Sequence, residues 1–285
     1  MRVTYAVYFY MVETQNSSYL TKWNPIDRFK QVPFVIIHNE RSSTAGLNRS
    51  IKVLSWNIAK NNYDSSWSRD FLAIVDRYEP DKIFLQEVRL RADVREIAEL
   101  ASMGWAFVPN FIDTSNNTYS GILIASKGDR TLSQALITKH YEPVINTPKV
   151  SLFSEYSSGD RSQSLLAVNT HLINFVKLSK FKAQLQEIES ILNEHQGAII
   201  LAGDFNTWNK SRWQMLSQMA ARLNLTSVSF TAEDTRKIKN FLLSPPLDYI
   251  FYRGFTPLLH TAKVIDNISS SDHNPLFVEL CLNKD

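Results

Sequence analysis

Two short strings, far apart in the chain, set an acid beside an amide or imidazole at the mouth of an apolar run. Gly203-Asp204-Phe205-Asn206 follows Ala198-Ile199-Ile200-Leu201-Ala202, and Ser271-Asp272-His273-Asn274-Pro275 precedes Leu276-Phe277-Val278-Glu279-Leu280. Further polar residues recur at the ends of other apolar runs or inside them. They are Asn57, Glu87, His171 with Asn174 three residues on, and Asp248 in Leu247-Asp248-Tyr249-Ile250. An unpaired buried carboxylate costs on the order of several kcal/mol or shifts its pKa, so gathering these groups in one cleft around a cation resolves that cost. The oxygen-rich set Asn57, Glu87, Asp204, Asn206 and Asp272 suits a hard cation, Mg²⁺ or Mn²⁺, which keeps waters that a phosphate oxygen can replace. The lack of cysteine ligands argues against a structural zinc site. Cation, carboxylates and imidazoles together fit hydrolysis at phosphorus: the cation offsets phosphate charge, a carboxylate activates water, and a cationic histidine stabilises the pentacovalent state.

These residues need strands to present them. Strands are predicted over Ile51–Trp56, Lys82–Gln86, Gly121–Ala125, Leu152–Phe153, Leu165–Asn169, Ala198–Ala202, Leu247–Tyr252 and Leu276–Leu282. Helices are predicted over Ser66–Tyr78, Ala92–Ser102, Lys177–His195 and Ser211–Leu223; the third carries Phe181, Leu185, Ile188, Ile191 and Leu192 on one face. Strands interleaved with helices argue an α/β (α+β) layering, and neighbouring strands with no helix between them call for mixed or largely antiparallel sheets. Residues 1–50 read as an N-terminal extension, with apolar stretches around Val7 and Phe34–Ile37 and a polar link from Arg41 to Ser50. Residues 51–285 read as one catalytic domain.

Composition sets bounds. The chain has 285 residues, 44% hydrophobic and 21% charged, which is ordinary for a globular protein. A net charge of +3 permits an anionic substrate without demanding one, so any basic footprint is local. The single cysteine, Cys281, excludes an internal disulfide and is expected to be a buried, inert thiol. No apolar segment is long enough to span a bilayer, and the aromatic start Tyr5–Val12 reads as a strand, not a secretory signal. A cytoplasmic monomer is the expectation.

The strings Ser55-Trp56-Asn57-Ile58, Pro80-Asp81 to Gln86-Glu87-Val88, Tyr119-Ser120-Gly121, Asn169-Thr170-His171-Leu172, Gly203-Asp204-Phe205-Asn206-Thr207, Leu247-Asp248-Tyr249 and Ser271-Asp272-His273-Asn274-Pro275 occur in one order. In that order, from about Ile51 to Leu282, they resemble the endonuclease/exonuclease/phosphatase superfamily of DNase I, exonuclease III-type nucleases, neutral sphingomyelinases and inositol polyphosphate 5-phosphatases. Within it they look like the YafD-like bacterial branch. The resemblance implies a DNase I-like four-layer sandwich, two packed mixed β-sheets flanked by helices. It implies Asn57, Glu87 and Asp272 as metal-side residues, with Glu87 the main ligand. It implies Asp204 as the acid that activates water, Asn206 as a holder of the phosphate or a metal, and His273 as the phosphate-side or proton-transferring histidine oriented by Asp248. His171 matches the position that stabilises the phosphate from the other side, and Asn174 a substrate-binding asparagine. The acid that pairs with the His171 position in the DNase I type has no counterpart near Tyr119-Ser120-Gly121.

The resulting expectation is a divalent-metal-dependent phosphoester hydrolase whose first substrate is nucleic acid, DNA before RNA. The alternatives are a phospholipid phosphodiesterase or a small-molecule phosphatase, and a catalytically dead binding module is a third. A nuclease calls for cations flanking the cleft. Lys177, Lys180 and Lys182 can steer a polyanion or form a solvated helix face. Trp208 and Trp213 can stack on a substrate or pack in the core. A lipid enzyme calls for an exposed apolar rim, and the sequence offers no clear loop for one.

Overall fold

A computed structural model describes residues 28–32, 35–39, 49–93, 97–143, 145–157 and 164–283. The predicted strand around Val7 and nearly all of the Arg41–Ser50 link lie outside them. Two sheets pack face to face. The first runs β1 (Phe29–Lys30), β5 (Gly104–Asp113), β6 (Thr118–Ser126), β4 (Lys82–Arg91), β3 (Ser50–Asn57), β15 (Leu276–Leu282), β13 (Phe255–Pro257). In addition β2 (Ile37–Asn39) pairs with β5 and β14 (Lys263–Val264) with β15. The second runs β11 (Thr226–Ser227), β12 (Asp248–Arg253), β10 (Ala198–Asp204), β9 (Ser164–His171), β8 (Val150–Ser157), β7 (Arg130–Ile137). Helix α1 (Ser65–Tyr78) links β3 to β4, and α2 (Leu178–Glu194) links β9 to β10; α3 (Lys210–Arg222) and the short α4 (Ala232–Lys237) follow.

Period-two alternation builds the four layers. Val53, Phe84, Ile122 and Ile124 of one sheet face Leu152, Ala167, Ile200 and Ile250 of the other. The alternate residues Leu54, Trp56, Ile83 and Leu85 turn outward onto Trp67, Phe71 and Ile74 of α1. Val168, Ile199 and Leu201 turn onto Phe181, Leu185 and Ile188 of α2 and Leu216 and Met219 of α3. This is the expected DNase I-like architecture of two mixed sheets flanked by helices.

Both βαβ units place their functional residues at one edge. The β3–β4 and β9–β10 pairs are parallel, so Asn57, His171 and Asp204 lie at the carboxyl ends of their strands, and Glu87 lies at the bulge of β4, just past its stretch paired with β3. Antiparallel β12 begins at that edge, with Asp248 opposite Asp204. Antiparallel β15 begins there too, Leu276 opposite Ser55, which delivers Asp272 and His273.

Several local expectations change. The predicted helix over Ala92–Ser102 is, among the described residues, a turn after β4 and one 3₁₀ turn at Ala98–Leu100; Ala92 N–H donates across to Asn117 O and continues the hairpin. Strand β5 carries Pro109 at a bulge before Phe111, and proline inside a run argues against a strand, which hides it in the sequence. Strand β7 is a polar sheet edge. Cys281 is half-buried, not buried.

Lys82 is 3% exposed and carries no carboxylate partner within ion-pair distance among the described residues. Its Nζ lies 3.4 Å from the Tyr156 ring centroid and donates to Ser126 Oγ at 2.5 Å. Burial pushes its pKa down to about 7, against a smaller opposing pull from Asp81. A lysine depressed from 10.5 contributes stability that is fully present above the unfolded value and lost as pH falls through about 7. Lys82→Met is therefore expected to stabilise the fold by about 1–4 kcal/mol at pH 6. It should also flatten the rise in stability between about pH 7 and the unfolded lysine value. Urea melts across that range check both effects.

Candidate active site

The backbone bends where the site begins. A bulge between Leu85 and Val88 in β4 puts Glu87 at φ 55, in the left-handed region, and re-aims its side chain. Asn206 sits at φ 49 just past β10. Gly203 (φ 143) is required: a Cβ there would lie 1.9 Å from Thr170 O, so only glycine lets β10 run close enough to set Asp204 beside His171.

Asp204, Asp248 and His273 are buried, and one ligand atom of each lies within 4.8 Å of the others, an arrangement that could hold a metal ion. Asp204 Oδ1 accepts from Asn206 N at 2.9 Å and Oδ2 from Asn57 Nδ2 at 3.1 Å. His171 Nε2 is 3.5 Å from the same Oδ2. Asp248 Oδ2 accepts from His273 Nδ1 at 2.8 Å, while Asp248 Oδ1 is buried with no partner. Burial and the Asp248 carboxylate push Asp204 up to about 7. Burial alone would lower His273, but the charge and hydrogen bond of Asp248, with Asp204 behind, raise it to about 10. Burial and Lys149 hold His171 well below the usual histidine range, so it is neutral at neutral pH. The site thus pairs an imidazolium with a carboxylate that titrates near neutrality.

Glu87 stands on the other side, partly open at 23% side-chain exposure. Its Oε2 accepts from Lys60 Nζ at 2.6 Å, and its Oε1 has no hydrogen bond among the described residues. Burial would raise its pKa, yet Lys60 and Lys149 hold it far below the ordinary carboxylate range. Lys60, Glu87, Asn110, Lys149 and His171 line one small cavity. Asn57 Oδ1 accepts from Ala59 N at 3.0 Å.

Two predicted residues stand apart from this cluster. Asp272 is 63% exposed and pairs with Lys239 at 2.8 Å; the Ser271–His273 turn sends His273 inward and the adjacent side chain outward. Asn174 Oδ1 is occupied by Trp208 Nε1 at 2.7 Å and by Phe175 N at 2.9 Å, so it braces the loop after β10. Trp213 stacks on Tyr249 at 4.9 Å, a packing role, and Lys177, Lys180 and Lys182 are exposed.

Supporting residues complete the frame. Gln86 Nε2 donates to Asn169 Oδ1 at 2.8 Å, and Asn169 Nδ2 donates to Leu85 O and Leu123 O, tying the two sheets beneath the site. Asp70 Oδ2 accepts from Ser269 N and Ser270 N, Ser271 Oγ donates to Asn57 O, and Trp56 Nε1 donates to His273 O; together they fix the turn that carries His273. Arg212 is fully buried, donates to Ile173 O, Asn206 O and Val176 O, and lies between the Phe181 and Trp208 rings. Its signal is in the sequence: a cation sharing the helical stripe of Leu216 and Met219. Lys60 and Lys149 carry no comparable signal.

Exposed apolar loops are present, although the sequence offers no clear loop for an apolar rim. Phe241, Leu242 and Leu243 are 47%, 93% and 98% exposed in the loop before β12, and Phe175 is 65% exposed in the loop after β9. Among the described residues no helix is long and apolar enough to cross a membrane.

Comparison with known proteins agrees with this fold. A UPF0294 protein of Vibrio campbellii is 33% identical over 236 residues, covering 82% of this chain and 78% of that protein. An endonuclease/exonuclease/phosphatase from Beutenbergia cavernae superposes with a TM-score of 0.62 at 17% identity, covering 83% of this chain and 72% of that one. The human Nocturnin catalytic domain superposes with a TM-score of 0.61 at 18% identity, covering 88% and 98%. Residues 54–273 match the endonuclease/exonuclease/phosphatase family, a span that runs from before Asn57 to His273, and the chain belongs to that family of phosphoester hydrolases.

Proposed function

We propose that the protein is a divalent-metal-dependent phosphodiester hydrolase. Residues 51–285 form its catalytic domain in this reading and residues 1–50 an extension. The observation that carries it is the buried pairing of Asp204, raised to about 7, with an imidazolium held by Asp248. A base whose pKa lies near the working pH takes a proton from water most effectively. Asp204 is oriented for that task by Asn57 and Asn206. His273 places a fixed positive charge beside the reacting phosphorus, in a site shielded from water. His171, neutral, holds Nε2 3.5 Å from Asp204 Oδ2 and so can offer a ring nitrogen to the phosphate. Asn206 spends its Nδ2 on Leu172 O and so contributes chiefly by shaping the loop.

The donor set fits a hard cation. Glu87 offers a carboxylate oxygen without a hydrogen bond among the described residues and Asn57 an amide oxygen, both hard oxygen ligands. Mg²⁺ or Mn²⁺ bound there would act as a Lewis acid that offsets charge on a phosphate oxygen. Glu87 is the principal ligand in this reading, and Asp272 reaches the site only by leaving Lys239.

For the substrate, DNA is the first reading. It draws support from Lys60 and Lys149 inside the cavity and from Lys139, Lys177 and Lys180 in the groove beside Phe175. A phospholipid is the second reading, favoured by the exposed Phe241–Leu243 loop. A substrate panel separates them: plasmid DNA, RNA, phospholipid vesicles and a chromogenic phosphodiester, each with Mg²⁺ or Mn²⁺. Cleavage of nucleic acid that weakens steeply with salt supports the first reading. Hydrolysis confined to lipid supports the second. No hydrolysis of any phosphoester sinks the enzymatic reading.

A further inference from the structure

The rim of the site breaks two local rules at once. Leu243 and Phe175 are both bulky, both exposed, and both in the left-handed backbone region, at φ 60 and φ 51. Asparagine or glycine would hold those turns without strain, and a polar residue would hold them without exposing apolar surface. Local choices that cost stability with no packing return mark functional positions. Leu242, between Phe241 and Leu243, is 93% exposed, so the three form a contiguous apolar tip instead of scattered surface leucines.

Both apolar loops hang on one short segment past β10. Thr207 Oγ1 donates to Pro246 O at 2.5 Å, which anchors the Phe241–Leu243 loop. Trp208 Nε1 donates to Asn174 Oδ1, which anchors Phe175. The segment itself begins at Asn206, two residues beyond Asp204, so the rim flanks the mouth of the site. Leu178, 37% exposed, continues the apolar surface beyond Phe175. Cations accompany it. Lys177, Lys180 and Lys210 are exposed, and none has a carboxylate within ion-pair distance among the described residues. Nearby acids are already paired: Asp272 with Lys239, Glu187 with Lys139, and Glu142 with Lys149.

Exposed apolar tips, with the unpaired Lys177 and Lys180 beside Phe175, match the chemistry of a negatively charged bilayer surface, in which the tips enter the acyl boundary and the lysines meet the headgroups. We infer that Phe175, Phe241, Leu242 and Leu243 dock the mouth of the site onto an anionic lipid surface. This goes beyond the hydrolytic reading and does not rest on it, because docking is read without turnover.

The test is co-sedimentation of the full chain with vesicles of phosphatidylcholine plus phosphatidylglycerol, and with vesicles of phosphatidylcholine alone. The wild type is expected to bind the mixed vesicles, to bind the neutral ones weakly, and to be released by salt. Leu242→Ser with Leu243→Asn should weaken binding by about tenfold or more, as should Phe175→Asn. Asparagine keeps the left-handed turns, and thermal melts check that the variants stay folded. Leu259→Ser is the control: Leu259 is 82% exposed in the turn after β13, outside the rim, and its loss should leave binding unchanged. Failure of the wild type to bind mixed vesicles overturns the inference. So does equal binding by the double variant, or equal binding of the wild type to neutral vesicles. Loss of duplex DNA binding in the double variant, with vesicle binding intact, would assign the rim to nucleic acid instead and likewise overturn it. Hydrolysis of a soluble phosphodiester by the wild type, measured in parallel, reports on the enzymatic reading separately.

Discussion

Asp204→Asn is expected to reduce kcat on a soluble phosphodiester by about 10³–10⁴-fold while the protein stays folded. The substitution keeps shape and removes the group that takes the proton. Its cost in hydrogen bonding is definable: Asp204 accepts two hydrogen bonds, from Asn206 N and Asn57 Nδ2, and an amide can accept only one of them at a single oxygen. A donor left facing a donor in a buried site costs about 1–3 kcal/mol. Against this, the amide carries no charge beside Asp248. Because the folded pKa of Asp204 is raised to about 7, its protonation contributes stability that is fully present below the unfolded carboxylate value and lost as pH rises through about 7. Above pH 7 the wild type carries the burden of a buried carboxylate that the variant lacks. The variant should therefore be the less stable protein in acid and gain on the wild type as pH rises. Activity within about tenfold of wild type at pH 8 would remove Asp204 from the chemistry.

The second large effect belongs to the Asp248–His273 pair. Asp248→Asn preserves a hydrogen-bond acceptor for Nδ1 but deletes the charge that opposes burial. Burial then prevails and His273 becomes neutral at neutral pH. The expected loss in kcat is about 10²–10⁴-fold at pH 8. The pH profile discriminates this from a packing defect. In the wild type the rate rises as Asp204 loses its proton near 7 and falls as His273 loses its own near 10, giving a bell. In the variant the alkaline limb moves down past the acid limb and the plateau collapses. The linked stability has a clear sign: a histidine raised from 6.5 to about 10 contributes stability that is fully present below 6.5 and lost as pH rises through about 10. An NMR titration of the His273 ring reads the shift directly. An unmoved ring pKa in Asp248→Asn would refute the role given to the pair.

Much of this site is legible in the chain because its key residues are polar groups set against apolar runs. Asn57, Glu87, His171 and Asp204 follow apolar runs, and parallel pairing with intervening helices forces the ends of such runs to one edge. Asp248 was legible as a carboxylate that apolar neighbours would bury, and the register opposite Asp204 is the reason it needs a cationic partner. What stayed hidden depends on tertiary direction. Asp272 and His273 are adjacent, and only the turn fixed by Asp70, Asn57 and Trp56 decides that the histidine enters the site while the acid meets Lys239. Lys60 and Lys149 converge on Glu87 from separate segments with no pattern in either. Phe241-Leu242-Leu243 is a short apolar triplet with nothing in its pattern to mark it as exposed; the ties from Lys239 to Leu247 and Asp272 close the loop that presents it.

The hydrolytic account stands or falls on one comparison: turnover of a chromogenic phosphodiester by the purified wild type with Mg²⁺ or Mn²⁺, with EDTA, and by Asp204→Asn with metal. The account predicts hydrolysis in the first case only, with loss in both others. Turnover that persists in EDTA, or that Asp204→Asn retains, would contradict it.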